Sequence, residues 1–121
     1  MNNSIFWVLE VTIQPGELDK FKALMNEMVD STWANEPMAL NYEWFVSADH
    51  TSCHLYERYA DSAAVLVHLT RFGQQFAARF LAVAKPTRLV VYGHPSAEAT
   101  RALSELGALF VTALGGFTRD R

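Results

Sequence analysis

From Ile5 to Gln14 the chain is rich in β-branched and aromatic residues, and Trp7, Leu9, Val11 and Ile13 fall on alternate positions, the spacing of one face of a strand. The other face carries Phe6, Val8, Glu10 and Thr12; it is only partly polar, so it too calls for cover. Pro15-Gly16 ends this segment. Leu18, Phe21, Leu24, Met25, Met28 and Val29 then recur at spacings of three and four, which predicts an amphipathic helix from about Gly16 to Asn35 with Glu17 and Asp19 in its first turn and Pro37 closing it. Two strands follow, Leu40 to Ser47 and Ser52 to Tyr59, joined by the polar hairpin loop Ala48-Asp49-His50-Thr51. Asp61 or Ser62 caps a helix reaching about Thr70, and a second helical stretch carries Phe72, Phe76 and Phe80 on a stripe with Leu69 and Val83. Lys85-Pro86 stops it. Arg88 to Tyr92 reads as a fourth strand, Pro95-Ser96 opens a short helix carrying Leu103 and Leu106 that Gly107 ends, and Leu109 to Leu114 reads as a fifth strand before Gly115-Gly116.

Without its last helix and strand this is the order strand, helix, strand, strand, helix, strand, the split βαβ arrangement of ferredoxin-like sheets. The fold class is therefore α+β, a ferredoxin-like sandwich with an antiparallel sheet and an extra carboxy-terminal helix and strand. Its two helices cover one face only. The uncovered face carries Phe6 and Val8 with part of the aromatic set Tyr42, Trp44 and Tyr56, a poor surface to leave in water. A second copy packed sheet to sheet about a two-fold axis would bury it, so a homodimer is expected. Alternation leaves open whether Asn41, Glu43 and Phe45 or Tyr42, Trp44 and Val46 meet the helices.

With 121 residues the chain has the size of one domain and can bury about two thirds of its unfolded surface. Half of it is apolar and 19% is charged, which excludes a disordered tether. A formal charge of −3 with no run of Lys or Arg argues against nucleic-acid binding. No apolar stretch approaches the roughly 20 residues of a membrane-spanning helix, and Ile5 to Leu9 lacks the length and basic flank of a leader. Cys53 is the only cysteine, a small buried thiol that cannot form an internal disulfide, and a cytoplasmic protein is the default expectation.

The segment Phe21 to His68, with Tyr42 after the first helix and then Leu55-Tyr56-Glu57-Arg58-Tyr59-Ala60-Asp61-Ser62-Ala63-Ala64 and helical His68, resembles the core of the antibiotic biosynthesis monooxygenase (ABM) family, quinol monooxygenase-like members included. The resemblance covers about the first 94 residues. Val91 to Phe117 resembles the carboxy-terminal extension of a longer subgroup, so the whole of 1–121 is taken as one ABM-like domain, core 1–94 and extension 95–121. The resemblance implies a dimeric α+β barrel. It also implies cofactor-independent oxidation of a small aromatic, phenolic or quinol substrate by O2, with no metal and no bound cofactor. Chemistry of that kind needs an apolar pocket, a base and donors for the resulting anion.

Leu55, Glu57 and Tyr59 share a strand face that the resemblance turns toward the helices, where His68 could approach it. Glu57 as base or His-orienting carboxylate, His68 as proton acceptor and Tyr59 as hydrogen-bond donor form a coherent catalytic set. Tyr42, Trp44, Phe72 and Phe76 are the candidate substrate-binding wall. The plainer alternative keeps Glu57 paired with an arginine, His68 as a core histidine and the aromatics as packing; the same sheet would then serve a non-catalytic dimeric small-molecule-binding or assembly module. His50, His54 and Asp49 do not complete a metal set. The haem-degrading relatives' first-strand asparagine is replaced here by Leu9, Gly115-Gly116 lacks phosphate-loop spacing, and Ser62 and Ser96 are explained as helix caps.

Overall fold

In a computed structural model residues 3–119 are described, so residues 1, 2, 120 and 121 of the expected 1–121 domain lie outside the described part. The apolar alternation of the amino-terminal segment gives β1 (Ile5–Ile13), which turns Ile5, Trp7, Val11 and Ile13 inward. After Gly16, at φ +81°, α1 (Leu18–Asn35) buries Phe21, Leu24, Met28 and Thr32 along one stripe. A hairpin follows, β2 (Ala39–Val46) and β3 (Ser52–Tyr59), whose turn is tied by Asp49: its Oδ1 accepts from the Ser47 and Thr51 hydroxyls, each at 2.7 Å.

Asp61, not Ser62, caps α2 (Ser62–Gln75), its Oδ1 accepting from the Ala64 amide at 2.9 Å. Ser62 accepts instead from the Ser96 amide at 2.8 Å, which ties the start of α2 to the start of α4 (Ala97–Glu105). The expected phenylalanine helix is split: Phe72 belongs to α2, Phe76 sits at the break, and Phe80 lies on α3 (Ala77–Val83). The strand β4 (Ala84–Tyr92) starts four residues earlier than the sequence pattern suggests and contains Pro86. Its pairing with β1 shifts register between Glu10 and Val11, and the Thr87 hydroxyl donates to the Glu10 carbonyl there at 3.1 Å. Such an irregularity tolerates a residue without an N–H, all the more because among the described residues no strand pairs with the other side of β4 at that point.

The sheet order is β2-β3-β1-β4-β5. The first four strands are antiparallel as expected. The extra strand β5 (Leu109–Val111) is shorter than the sequence suggests and pairs parallel with Val90, Val91 and Tyr92, because α4 carries the chain back along the sheet before it re-enters. The sheet is open and its edges do not meet. Gly93, at φ +110°, ends β4 where a Cβ would meet the Ser4 carbonyl oxygen at 2.9 Å.

Two buried clusters lie between the sheet and the helices. One gathers Val11, Phe21, Met28, Leu55 and Phe80; the other gathers Ile5, Trp7, Tyr59, Val65, Val91 and Leu103. The sidedness of β2 follows from them: Tyr42 and Trp44 pack against the first cluster, so neither belongs to the open face where part of the aromatic set was expected. Tyr56 does belong there. Phe6 stacks on Tyr92 with ring centroids 4.9 Å apart and meets Tyr56 edge-on at 6.1 Å, while Val8 lies across from Tyr56 and Val90.

Leu103 is completely buried although it lies in the carboxy-terminal extension. Leu103→Ala is therefore expected to cost about 2–5 kcal/mol of global stability. Urea denaturation followed by both far-ultraviolet dichroism and tryptophan fluorescence checks this, with coincident transitions expected if the extension folds with the rest.

Candidate functional site

Between the two apolar clusters the core becomes polar. Strand alternation puts Glu57 on the inner face of β3, between Leu55 and Tyr59, and helix α2 brings His68 over it. His68 Nε2 lies 3.2 Å from Glu57 Oε1, and the Tyr59 hydroxyl donates to that same oxygen at 2.6 Å. The three residues singled out in the sequence thus meet in one place.

A fourth residue completes the chain. Glu36 Oε1 lies 2.9 Å from His68 Nδ1, so the imidazole is held between two carboxylates. Glu36 follows the last turn of α1, continuing the inward stripe Met28, Thr32 at the next four-residue step, and precedes Pro37, which disfavours helical backbone at the position before it. The helix ends there, at φ −131° and ψ 75°, while the side chain stays inside. Arg71, one helical turn past His68, places its Nε 3.3 Å from Glu36 Oε2, an ion-pair contact without hydrogen-bond geometry, and donates through Nη2 to the Ser31 hydroxyl at 2.9 Å. Two carboxylates thus face one imidazole and one guanidinium. The side chains of both glutamates are only 5% exposed, a position that carboxylates hold only when paired.

Burial opposes charge on His68, but the Glu36 and Glu57 carboxylates, one on each ring nitrogen, outweigh it and raise the pKa from 6.5 to about 9. With both nitrogens donating, the ring is an imidazolium at neutral pH. Burial first, and then the Glu57 charge, push the Tyr59 phenol well above its usual range. The same two causes raise Tyr42, whose hydroxyl lies within reach of the Thr32 side chain; both phenols therefore stay protonated as donors.

The aromatic residues border this polar chain unequally. Tyr42 meets the His68 ring edge-on at 5.4 Å and Trp44 at 5.9 Å. Trp44 also packs against Phe21 and Phe80, and among the described residues its buried indole Nε1 has no hydrogen-bond partner. Phe72 meets Phe80 at 5.7 Å, and Phe76 is buried in the same cluster but makes no ring contact with the polar residues among those described. His50 occupies the hairpin turn at φ 59°, and His54 lies on the open sheet face, 3.7 Å from Glu10 and remote from His68. Glu36, Thr32 and Arg71 went unnoticed in the sequence reading. The one available signal was an acidic residue at the next step of an apolar helical stripe, immediately before proline.

Because the folded pKa of His68 is raised, the folded state holds a proton that the unfolded chain releases above about pH 6.5. The stabilisation is complete below that pH and is lost as pH rises through about 9. Nitrogen-15 NMR is expected to show both ring nitrogens protonated at pH 7, and urea midpoints to fall between pH 7 and pH 9.5. A neutral imidazole at pH 7 would contradict the arrangement.

The Antibiotic biosynthesis monooxygenase family model matches residues 4–71. No curated protein matches the sequence. Among solved structures, MupZ from Pseudomonas fluorescens is similar over 98% of this chain and 96% of its own, with TM-score 0.82 and 22% identity. SnoaB from Streptomyces nogalater, a cofactor-independent oxygenase, is similar over 78% of this chain and 95% of its own, with TM-score 0.65 and 14% identity. An antibiotic biosynthesis monooxygenase of 24% identity gives TM-score 0.60 over 72% of this chain and 92% of its own. These likenesses are likenesses of fold, and that to MupZ also spans the carboxy-terminal extension. The family match takes in more than half the chain, including Glu36, Glu57, Tyr59, His68 and Arg71, and the protein belongs to the antibiotic biosynthesis monooxygenase family.

Proposed function

We propose that the protein is a cofactor-independent monooxygenase that oxidises a small aromatic, phenolic or quinol substrate with O2. The observation that carries this reading is the buried chain Glu36–His68–Glu57–Tyr59, flanked by Tyr42 and Trp44. Removing a proton from an activated carbon or a phenol gives an anion electron-rich enough to reduce O2. For an activated methylene group, one molecule of O2 converts the methylene carbon to a carbonyl and releases one molecule of water. Both C–H bonds and the O–O bond break, one oxygen atom stays on carbon, the other leaves as water with the two hydrogens, and the substrate supplies all four electrons.

Glu57 is the assigned base. Its side chain is shielded from water, and His68, already charged, is better suited to steady an anion and to return a proton than to accept one. Tyr59 holds the same Glu57 oxygen as a donor. Tyr42 and Trp44 are assigned to substrate binding, the unpaired indole N–H of Trp44 being a ready donor to a carbonyl or phenolate oxygen; Phe72 and Phe76 supply the apolar wall behind it. The reading also takes 1–121 as a single domain working in the cytoplasm as a homodimer, the second copy covering Phe6, Val8, Tyr56 and Tyr92.

A second reading, a non-catalytic binding module, has one observation in its favour: both ring nitrogens of His68 are satisfied within the protein, as in a purely structural network. Glu57→Gln separates the two, because it keeps the shape of the side chain, whereas His68→Ala would leave two buried carboxylates without their shared partner. Under the monooxygenase reading, oxygen uptake with a panel of hydroquinones and anthrone-like phenols is saturable and falls at least about a hundredfold in Glu57→Gln. No uptake by the wild-type protein across the panel favours the binding module. Light scattering at micromolar concentration is expected to give twice the 13.6 kDa chain mass, and a monomer would remove the dimer from the proposal.

A further inference from the structure

The two carboxylates that flank His68 are held in unlike ways. The Glu36 amide donates to the Thr32 carbonyl at 2.9 Å and its own carbonyl accepts from the Ala39 amide at 3.0 Å, so the backbone is anchored on both sides of the helix end. Both oxygens of its side chain are engaged, Oε1 with His68 Nδ1 at 2.9 Å and Oε2 facing Arg71 Nε at 3.3 Å. Arg71 lies three residues beyond His68 on α2 and donates to the Ser31 hydroxyl of α1, so the helix that carries the imidazole is tied to the helix end that presents Glu36. Glu57 differs. The Tyr59 hydroxyl and His68 Nε2 both address its Oε1, at 2.6 and 3.2 Å, and among the described residues no hydrogen bond reaches its Oε2.

We propose that Glu36 is the positioning residue of the site: it holds the Nδ1 proton of His68, fixes the orientation of the ring and leaves Nε2 as the nitrogen that gives and regains a proton. The proposal rests on the monooxygenase reading of the same buried chain. A neutral imidazole carries a single N–H, and the hydrogen bonds open to its two nitrogens decide which of them keeps it. Here the shorter contact and the fully engaged carboxylate are both on the Nδ1 side. A buried carboxylate bonded to Nδ1–H holds an imidazole in one tautomer and one orientation. When the Nε2–H bond breaks, its proton passes to the oxygen-centred anion left by reduction of O2, and the ring remains as the Nδ1–H form on Glu36. Glu57, having taken a proton from the substrate, returns it to Nε2, so the pair is reset with no net proton gained or lost. The titratable groups facing the ring are Glu36 from the end of α1, Tyr42 from β2, Glu57 and Tyr59 from β3, and Arg71 beyond Glu36. Of these, the two glutamates make the contacts to its nitrogens.

The tautomer is read by nitrogen-15 NMR of the wild-type protein at about pH 10.5, beyond the His68 titration at about 9. The expected form carries its proton on Nδ1 with Nε2 bare, and a proton on Nε2 would overturn the assignment. Glu36→Gln keeps the shape of the side chain and one acceptor oxygen but removes the charge. In that variant the His68 titration is expected to fall by at least about one unit. With the hydroquinone and anthrone-like panel, its kcat for oxygen uptake is expected to fall at least about tenfold at little changed KM. Leu103→Ala, which weakens the fold from a place remote from the ring, is the comparison, and its His68 titration is expected at the wild-type position. If Glu36 is merely structural, Glu36→Gln lowers the urea midpoint and leaves the His68 titration and kcat unchanged, a result that overturns the proposal. Should Glu36→Gln fail to fold, the wild-type tautomer decides alone. No oxygen uptake by wild-type protein that shows the Nδ1 proton removes the oxygenase reading and leaves Glu36 as the residue that holds the ring. An Nε2 proton in protein that does take up oxygen removes Glu36 from its role and leaves the oxygenase reading standing.

Discussion

Two carboxylates buried in the core of a small protein are tolerable only if their charge is met within hydrogen-bonding reach, and His68 meets both. Much of the architecture around it can be understood from this requirement. Glu36, Glu57 and His68 come from the end of α1, the middle of β3 and the inner side of α2, so the three elements must hold a fixed relation for the charges to balance. An apolar contact would tolerate a displacement of an ångström or so. The ion chain is less forgiving, since a ring nitrogen moved out of reach leaves a bare carboxylate in a medium that cannot solvate it. The apolar clusters on either side supply most of the hydrophobic stabilisation, and the polar chain between them supplies specificity of arrangement.

The two faces of the sheet answer different demands. The inner face is a sequence of apolar, polar and apolar zones, while the outer face concentrates Phe6, Tyr56 and Tyr92 in mutual contact. Since the strands are shared, a residue on one face constrains its neighbour on the other: Arg58, between Glu57 and Tyr59, points outward and donates to the Asn41 side chain at 2.8 Å. A contact on the outer face at Arg58 therefore falls on a residue adjacent in sequence to two members of the buried polar chain.

Much of this was legible from the chain. Period-two alternation marks β1 and β3 and sets Glu57 and Tyr59 on one face, and the three- and four-residue spacing marks α1. The same rules could not decide which side of β2 faces inward, because Tyr42 and Trp44 on one side and Phe45 on the other are all aromatic; packing against Phe21 and Phe80 decides it. The parallel direction of β5 was hidden because a three-residue strand carries no directional signal; the α4 crossover sets it. Glu36 was missed for a different reason. At a helix end a glutamate ordinarily reads as solvated, and only the partner 32 positions away, His68, explains its burial. Pairings across such separations are not encoded in local pattern.

The doubly held imidazole also ties folding to the proton balance of the solution. Between the ordinary pKa of histidine and about 9, a molecule that folds takes a proton from the buffer and one that unfolds gives it back. The heat of unfolding in that range therefore contains the buffer's own heat of ionisation. Calorimetry in phosphate and in Tris should report different apparent enthalpies for the same protein, and the difference counts the protons that the core takes up.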